Sequence, residues 1–318
     1  MNVMRWMIVG ALALIGLSGT GCQVNEATGE RHFLTLTRGD EIQLGEEAAP
    51  EFVEQFGGAV QDAELQRYVS SIGARMARKT EGDNPTLPWE FTLLDSAVVN
   101  AFALPGGKVF ITRGLAERLD DEAQLAGVLG HEIAHVTAQH ANRRISSNML
   151  FNIGLAVGAT VVDSSGNRDV RDVGQLAIPA LAIGGQVVQL KYGRDDELEA
   201  DRLGIRYMAA CGYDPAGQRD VMQVLASLAA DSARQPEWLS THPYPERRVR
   251  RINELLETEY AGVEGQRWAV RYRRDFLGRL GEMPPPRHGA NDPTVSLASI
   301  GAIGCSCCGD AGPDNDPR

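Results

Sequence analysis

The stretch from Asp121 to Arg143 constrains this chain more than any other. Leu125, Val128, Leu129, Ile133 and Val136 fall all round a helix begun by Asp120 and Asp121, so the spacing predicts a long helix buried on every side, reaching roughly to Arg143. A helix of that kind needs a surrounding fold, and 318 residues are enough to supply one. Yet His131-Glu132-Ile133-Ala134-His135 lies inside it. Burying two imidazoles and a carboxylate is costly without strong partners. Two His four residues apart share a helix face and can bind one metal ion, while the Glu beside the first can reach a water on that metal. With only six His in the chain, the spacing is rarely met by chance.

A catalytic zinc takes three protein ligands and keeps an open position, so the third must come from another element. Glu197-Leu-Glu199-Ala-Asp201 lies on a second predicted helix running to Met208. At ~100° per residue, Glu197 and Asp201 share a face and Glu199 points away. Glu197 is therefore the expected third ligand. Asp201, one turn on, is expected to accept a hydrogen bond from the outer nitrogen of a ligand His. Glu199 is expected at the surface, paired with Arg202. His140 lies about 140° from His135 on a continuous helix and is read as structural.

The rest of 40–282 reads as one domain. Helices are expected over Asp40–Phe56 and from Asp62 to about Lys79, and strands over 89–94, Val98–Ala103 and Lys108–Thr112. Pro105-Gly106-Gly107 suits a hairpin turn between the last two. The stretches 149–162 and 173–190 are apolar and Gly-rich. At ~1.5 Å per residue the first is about 21 Å long, short of a ~30 Å hydrocarbon core. They are read either as core helices or as a flap touching a membrane.

The ends differ from this domain. Arg5, an apolar run from Trp6 to Leu17 and the small residues 18–21 make a secretory signal over 1–21. Cys22 then stands where a lipoprotein carries its lipid, although Gly19 replaces the usual Leu. A cleaved signal with an incidental Cys and an uncleaved anchor are the alternatives. Residues 22–39 are expected as a linker, and 283–318, with Cys305, Cys307 and Cys308, as a loose tail. The expected location is the periplasmic face of a bacterial envelope, with membrane attachment through lipid at Cys22. The net charge of −11, from 31 Lys and Arg against 42 Asp and Glu, argues against nucleic acid as a partner.

Taken together, Asp40-Glu-Ile-Gln-Leu-Gly45, Asn100-Ala-Phe-Ala-Leu-Pro-Gly-Gly107, His131–His135, Glu197-x-x-Ala-Asp201 and Thr241-His242-Pro243 resemble, in this order, the zinc metallopeptidases typified by BepA, HtpX and the CAAX prenyl proteases. Short lipoprotein-type members are most alike. The resemblance implies an α+β, mainly α, zincin-like domain whose small sheet sets an edge strand beside the active-site helix. It implies Zn2+ on His131, His135 and Glu197, with Glu132 as catalytic base. It also implies a site role for His242, either stabilising the oxyanion or filling the open zinc position. Peptide-bond hydrolysis in unfolded or misassembled envelope proteins follows, with substrate pairing along Asn100, Ala101, Phe102 and Ala103. A zinc-stabilised chaperone or assembly factor with latent peptidase activity is the alternative.

Overall fold

The computed structural model describes residues 21–81, 87–163, 192–231, 236–243 and 245–286. The leader residues 1–20, the apolar stretch 173–190 and Cys305, Cys307 and Cys308 lie outside the described residues.

Residues 22–39, expected as a linker, instead contain structure. β1 (Gly21–Val24) and β2 (Arg31–Leu34) pair antiparallel, with Cys22 opposite Phe33. Asn25 closes the connection by accepting the amide hydrogens of Ala27 and Thr28 on its Oδ1. Its Nδ2 donates to Thr137 O at 2.8 Å, which ties the hairpin to the domain. The sequence pattern did not announce this hairpin because its anchors are single long-range hydrogen bonds.

The next two helices fall where the spacing placed them. α1 (Arg38–Gln55) starts at a capping box of Thr37 and Asp40, and α2 (Ala63–Ala77) starts at the Asp62 side chain. Leu65, Val69, Ile72 and Met76 of α2 are buried, as their spacing requires.

β3 (Glu90–Leu94), β4 (Ala101–Leu104) and β5 (Lys108–Thr112) form a sheet in the order β3-β5-β4, with β3 parallel and β4 antiparallel to β5. The Pro-Gly-Gly turn joins β4 and β5 with Gly106 at φ 77°. A Cβ on Gly106 would lie 2.5 Å from Ile42 Cα, so only glycine fits this turn against α1. β4 begins three residues later than expected. Before Ala101 the Thr112 side chain takes over part of the pairing: its Oγ1 donates to Val98 O at 2.5 Å and accepts from Asn100 N at 3.1 Å, while Thr112 N still donates to Asn100 O at 3.0 Å. β4 is left at the sheet edge.

After the short α3 (Arg113–Ala116), α4 (Glu122–Thr137) runs through the core with all 16 residues buried. Asp121 caps it by accepting from Gln124 N at 2.9 Å. Leu125, Leu129 and Ile133 have no exposure, and each contributes ~1.5–3 kcal/mol of apolar burial.

The expected single helix to Arg143 breaks. Gln139 has φ 56°, and a left-handed residue ends an α-helix. Its side-chain amide donates to the buried Glu41 Oε1 at 3.0 Å, which holds the kink. α5 (His140–Asp163) then leaves in a new direction and includes residues 149–162. Among the described residues, no helix is long and apolar enough to cross a membrane.

α6 (Arg194–Ala210), α7 (Ala216–Asp231), α8 (Glu237–Thr241), α9 (Pro245–Glu257) and a helical stretch over 269–281 complete the domain. α4 packs on α6, α7, α2 and β4. The fold is mainly α with a small sheet, as expected. α4 and α6 cross closely at Gly130 and Gly204. A Cβ on Gly204 would sit 3.0 Å from Gly130 C and His131 N, so the pair of glycines lets the two backbones approach. That approach brings the His-bearing helix within reach of Glu197 and Asp201.

Candidate metal centre

Four side chains meet above this crossing. His131 and His135 come from α4, Glu197 from α6, and His242 from the residue that ends α8; all four are buried, with ligand atoms within 4.8 Å of one another. His131 Nε2 lies 3.0 Å from His135 Nε2 and 3.3 Å from His242 Nδ1. His242 Nδ1 lies 3.0 Å from Glu197 Oε1. Glu197 Oε1 is 3.6 Å from His135 Nε2, and its Oε2 is 3.5 Å from His131 Nε2.

The donor set of three imidazoles and one carboxylate suits zinc. The electrostatics also call for a cation at the centre. Burial and the Arg248 guanidinium oppose a charge on His131, but hydrogen bonds to Asp201 and Glu197 outweigh them and hold it up to about 9. A metal would take the place of that proton. His135 is held well below the usual imidazole range, chiefly by burial, which leaves a nitrogen lone pair for a metal.

Asp201 sits where helical geometry placed it, with Oδ1 3.0 Å from His131 Nδ1. The same carboxylate accepts from Gln218 Nε2 at 2.9 Å and from Arg248 Nε and NH2 at 2.7 and 2.6 Å. Burial raises the Asp201 pKa, but the Arg248 charge overrides it and brings the group down to about 2. Arg248 also places NH1 2.9 Å from Glu197 Oε2.

Glu132 faces the cluster from α4. Its Oε1 accepts from Trp238 Nε1 at 3.1 Å, and its Oε2 is buried without a hydrogen-bond partner. Trp238 stacks on His242 at 4.7 Å between ring centroids.

One expectation is corrected here. Glu199 does not pair with Arg202, which instead faces Glu259 at 3.8 Å. Glu199 Oε2 lies 3.0 Å from His140 Nε2 and 2.8 Å from Arg143 NH1. The kink at Gln139 is the cause, because it turns His140 and Arg143 towards α6. It also puts His140 Nδ1 2.7 Å from His135 Nδ1, a contact that an unbroken helix forbids.

Of the residues expected to bind substrate, Ala103 lines a small pocket beside His135, with Leu104, Pro105, Val136, Ala141 and Tyr192. The Phe102 ring points elsewhere, against Phe52, Phe56 and Phe110. Asn100 is buried just before β4, and Ala101 lies in the main core.

Sequence reasoning missed Arg248, Trp238 and Tyr192. Arg248 shares a face of α9 with the buried Ile252 and Leu255, at positions i, i+4 and i+7, so its burial was detectable from spacing. Tyr192 stacks on His135 at 4.0 Å, and burial pushes its hydroxyl pKa far up. No local pattern marks Tyr192 or Trp238.

A metal-binding cluster on two crossed helices, with a carboxylate facing it from the His-bearing helix, defines a site of the metallopeptidase type. The comparisons give the family. Residues 63–256 match the model of Peptidase family M48, and the chain belongs to that family. It is 32% identical over 222 residues to the beta-barrel assembly-enhancing protease of Escherichia coli (strain K12), covering 68% of this chain and 43% of that protein. It is 31% identical over 197 residues to the mitochondrial metalloendopeptidase OMA1 of Arabidopsis thaliana, covering 61% of this chain and 36% of that one. Against the mitochondrial metalloendopeptidase OMA1 of Danio rerio it is 29% identical over 268 residues, covering 79% and 55%. The chain thus spans about half or less of the length of these relatives.

Proposed function

We propose that the chain is a zinc metalloendopeptidase that hydrolyses peptide bonds in unfolded or misassembled proteins of a bacterial envelope. The free, buried Oε2 of Glu132 beside the His131, His135, Glu197 and His242 cluster carries this reading. Zinc held by His131, His135 and Glu197 would supply Lewis-acid polarisation of a carbonyl and make a water more acidic. Glu132 takes the proton from the attacking water on Oε2 and later delivers it to the leaving amine. Trp238 fixes the other oxygen, so the carboxylate stays aimed. Asp201 and Arg248 hold the His131 ring and the Glu197 carboxylate in place.

β4 lies at the sheet edge and Ala103 borders the small pocket beside His135. An extended substrate pairing along 100–103 would gain main-chain hydrogen bonds and need little sequence preference, which suits unfolded chains. The name of the Escherichia coli relative supports an envelope role. The leader over 1–21 supports export, and Cys22 is the proposed lipid site. Mass spectrometry of the mature N-terminus tests this: a diacylated Cys22 supports the anchor, and an intact leader overturns it.

His242 occupies a corner of the cluster, 3.0 Å from Glu197 and 3.3 Å from His131. This favours a plug on the fourth metal position over help to an oxyanion. His242→Ala should then raise casein cleavage, and a fall would assign His242 to catalysis.

The direct test of the base is Glu132→Gln. It should keep its zinc and lose ~10²–10⁴-fold in casein cleavage. Full activity would overturn the assignment.

A further inference from the structure

The two His on α4 are supported differently. His131 has its outer nitrogen against the Asp201 carboxylate at 3.0 Å. His135 has its outer nitrogen against another imidazole, His140, at 2.7 Å. The His135 and His140 rings meet edge-on, 4.8 Å apart at 72°, and both are buried. Beyond His140 stands Glu199, 3.0 Å from its Nε2, held in turn by Arg143 at 2.8 Å. The neighbouring Asp196 carboxylate, at 3.9 Å from His140 Nε2, is outside hydrogen-bond distance.

With His140 neutral, counting donors and acceptors along this line assigns each proton. An ionised carboxylate only accepts, so His140 Nε2 carries the hydrogen that Glu199 receives. A neutral imidazole has one donor and one acceptor, so His140 Nδ1 is a lone pair. The His135 Nδ1 opposite it must then carry a hydrogen. That leaves the His135 Nε2 lone pair facing His131 and Glu197, where a ligand atom is needed.

We propose that His140 and Glu199 are positioning residues: the chain Glu199–His140–His135 fixes the tautomer and ring orientation of His135 for metal binding. The inference rests on the zinc reading above. Its sequence requirement is the Gln139 kink, because it brings a residue five places on into contact with His135. Arg143, from the first turn after the kink, holds Glu199 in place at 2.8 Å.

The test uses full-length protein. Zinc affinity is measured by chelator competition, and the ligand field by the visible spectrum of the cobalt-substituted protein. Wild type, His140→Phe, Glu199→Ala, Glu199→Gln and the control Glu259→Gln are compared, with folding checked by circular dichroism.

His140→Phe and Glu199→Ala should each weaken zinc binding ~10- to 100-fold and alter the cobalt spectrum. Glu199→Gln, which keeps an acceptor oxygen, should recover part of the affinity, and Glu259→Gln should match wild type. Folded Glu199→Ala with wild-type affinity and an unchanged cobalt spectrum overturns the proposal, even if His140→Phe does not fold. Wild type that binds no zinc would instead sink the underlying zinc reading.

Discussion

The two sides of the metal cluster are built on different principles. On the α6–α9 side, Asp201 has four hydrogen bonds or close contacts, from His131, Gln218 and the Nε and NH2 of Arg248. Every member is buried, and the charges of Arg248, Glu197 and Asp201 lie within 3 Å of their partners. On the His135 side stand an aromatic ring, a His–Glu line that reaches a partly exposed arginine, and a small pocket. One side is locked by charge and the other is held by single hydrogen bonds next to open space.

If that contrast is right, breaking the locked side costs most. Arg248→Ala takes the guanidinium from the buried carboxylates Asp201 and Glu197, and should destabilise the fold by ~3–5 kcal/mol, read from urea unfolding. An effect below 1 kcal/mol would show that water enters the network.

The second effect is pH-dependent. Asp201 has a folded pKa of about 2, depressed from 3.8, so its stabilising contribution is present above about pH 4 and is lost as pH falls through about 2. The contribution is ~2 kcal/mol. Asp201→Asn should flatten the stability curve between pH 4 and 2, and an unchanged slope would contradict the pairing with Arg248.

Next is the crossing itself. Gly204→Ala puts a Cβ 3.0 Å from the α4 backbone and should cost about 1 kcal/mol while weakening zinc binding, because it pushes Glu197 away from His131. The smallest effect is at the surface. Arg202 and Glu259 are 63% and 45% exposed at 3.8 Å, so Arg202→Ala should change stability by less than ~0.5 kcal/mol.

Much of the site was legible in the sequence. The His131–His135 spacing and the shared face of Glu197 and Asp201 follow from 3.6 residues per turn, and the structure brings these residues together as that geometry requires. The helix boundaries of α1 and α2 followed from caps and apolar spacing for the same local reason.

What stayed hidden depends on contacts between distant segments. Gln139 adopts φ 56° because Glu41 and Asn25, 98 and 114 residues away, hold its amide. Without that kink in view, Glu199 looked like a surface acid and His140 like filler. The β1–β2 hairpin was hidden in the same way, since Asn25 and Thr35 anchor it to Thr137 and Ser146.

The central claim is that His131, His135 and Glu197 hold a zinc ion that Glu132 needs for peptide hydrolysis. Zinc content and casein cleavage of the purified full-length protein, with and without chelator, test it in one experiment. The account predicts one zinc per chain, cleavage that stops on chelation and returns with zinc, and neither metal nor cleavage in Glu197→Ala. Cleavage that continues in the metal-free protein, or in Glu197→Ala, would contradict it.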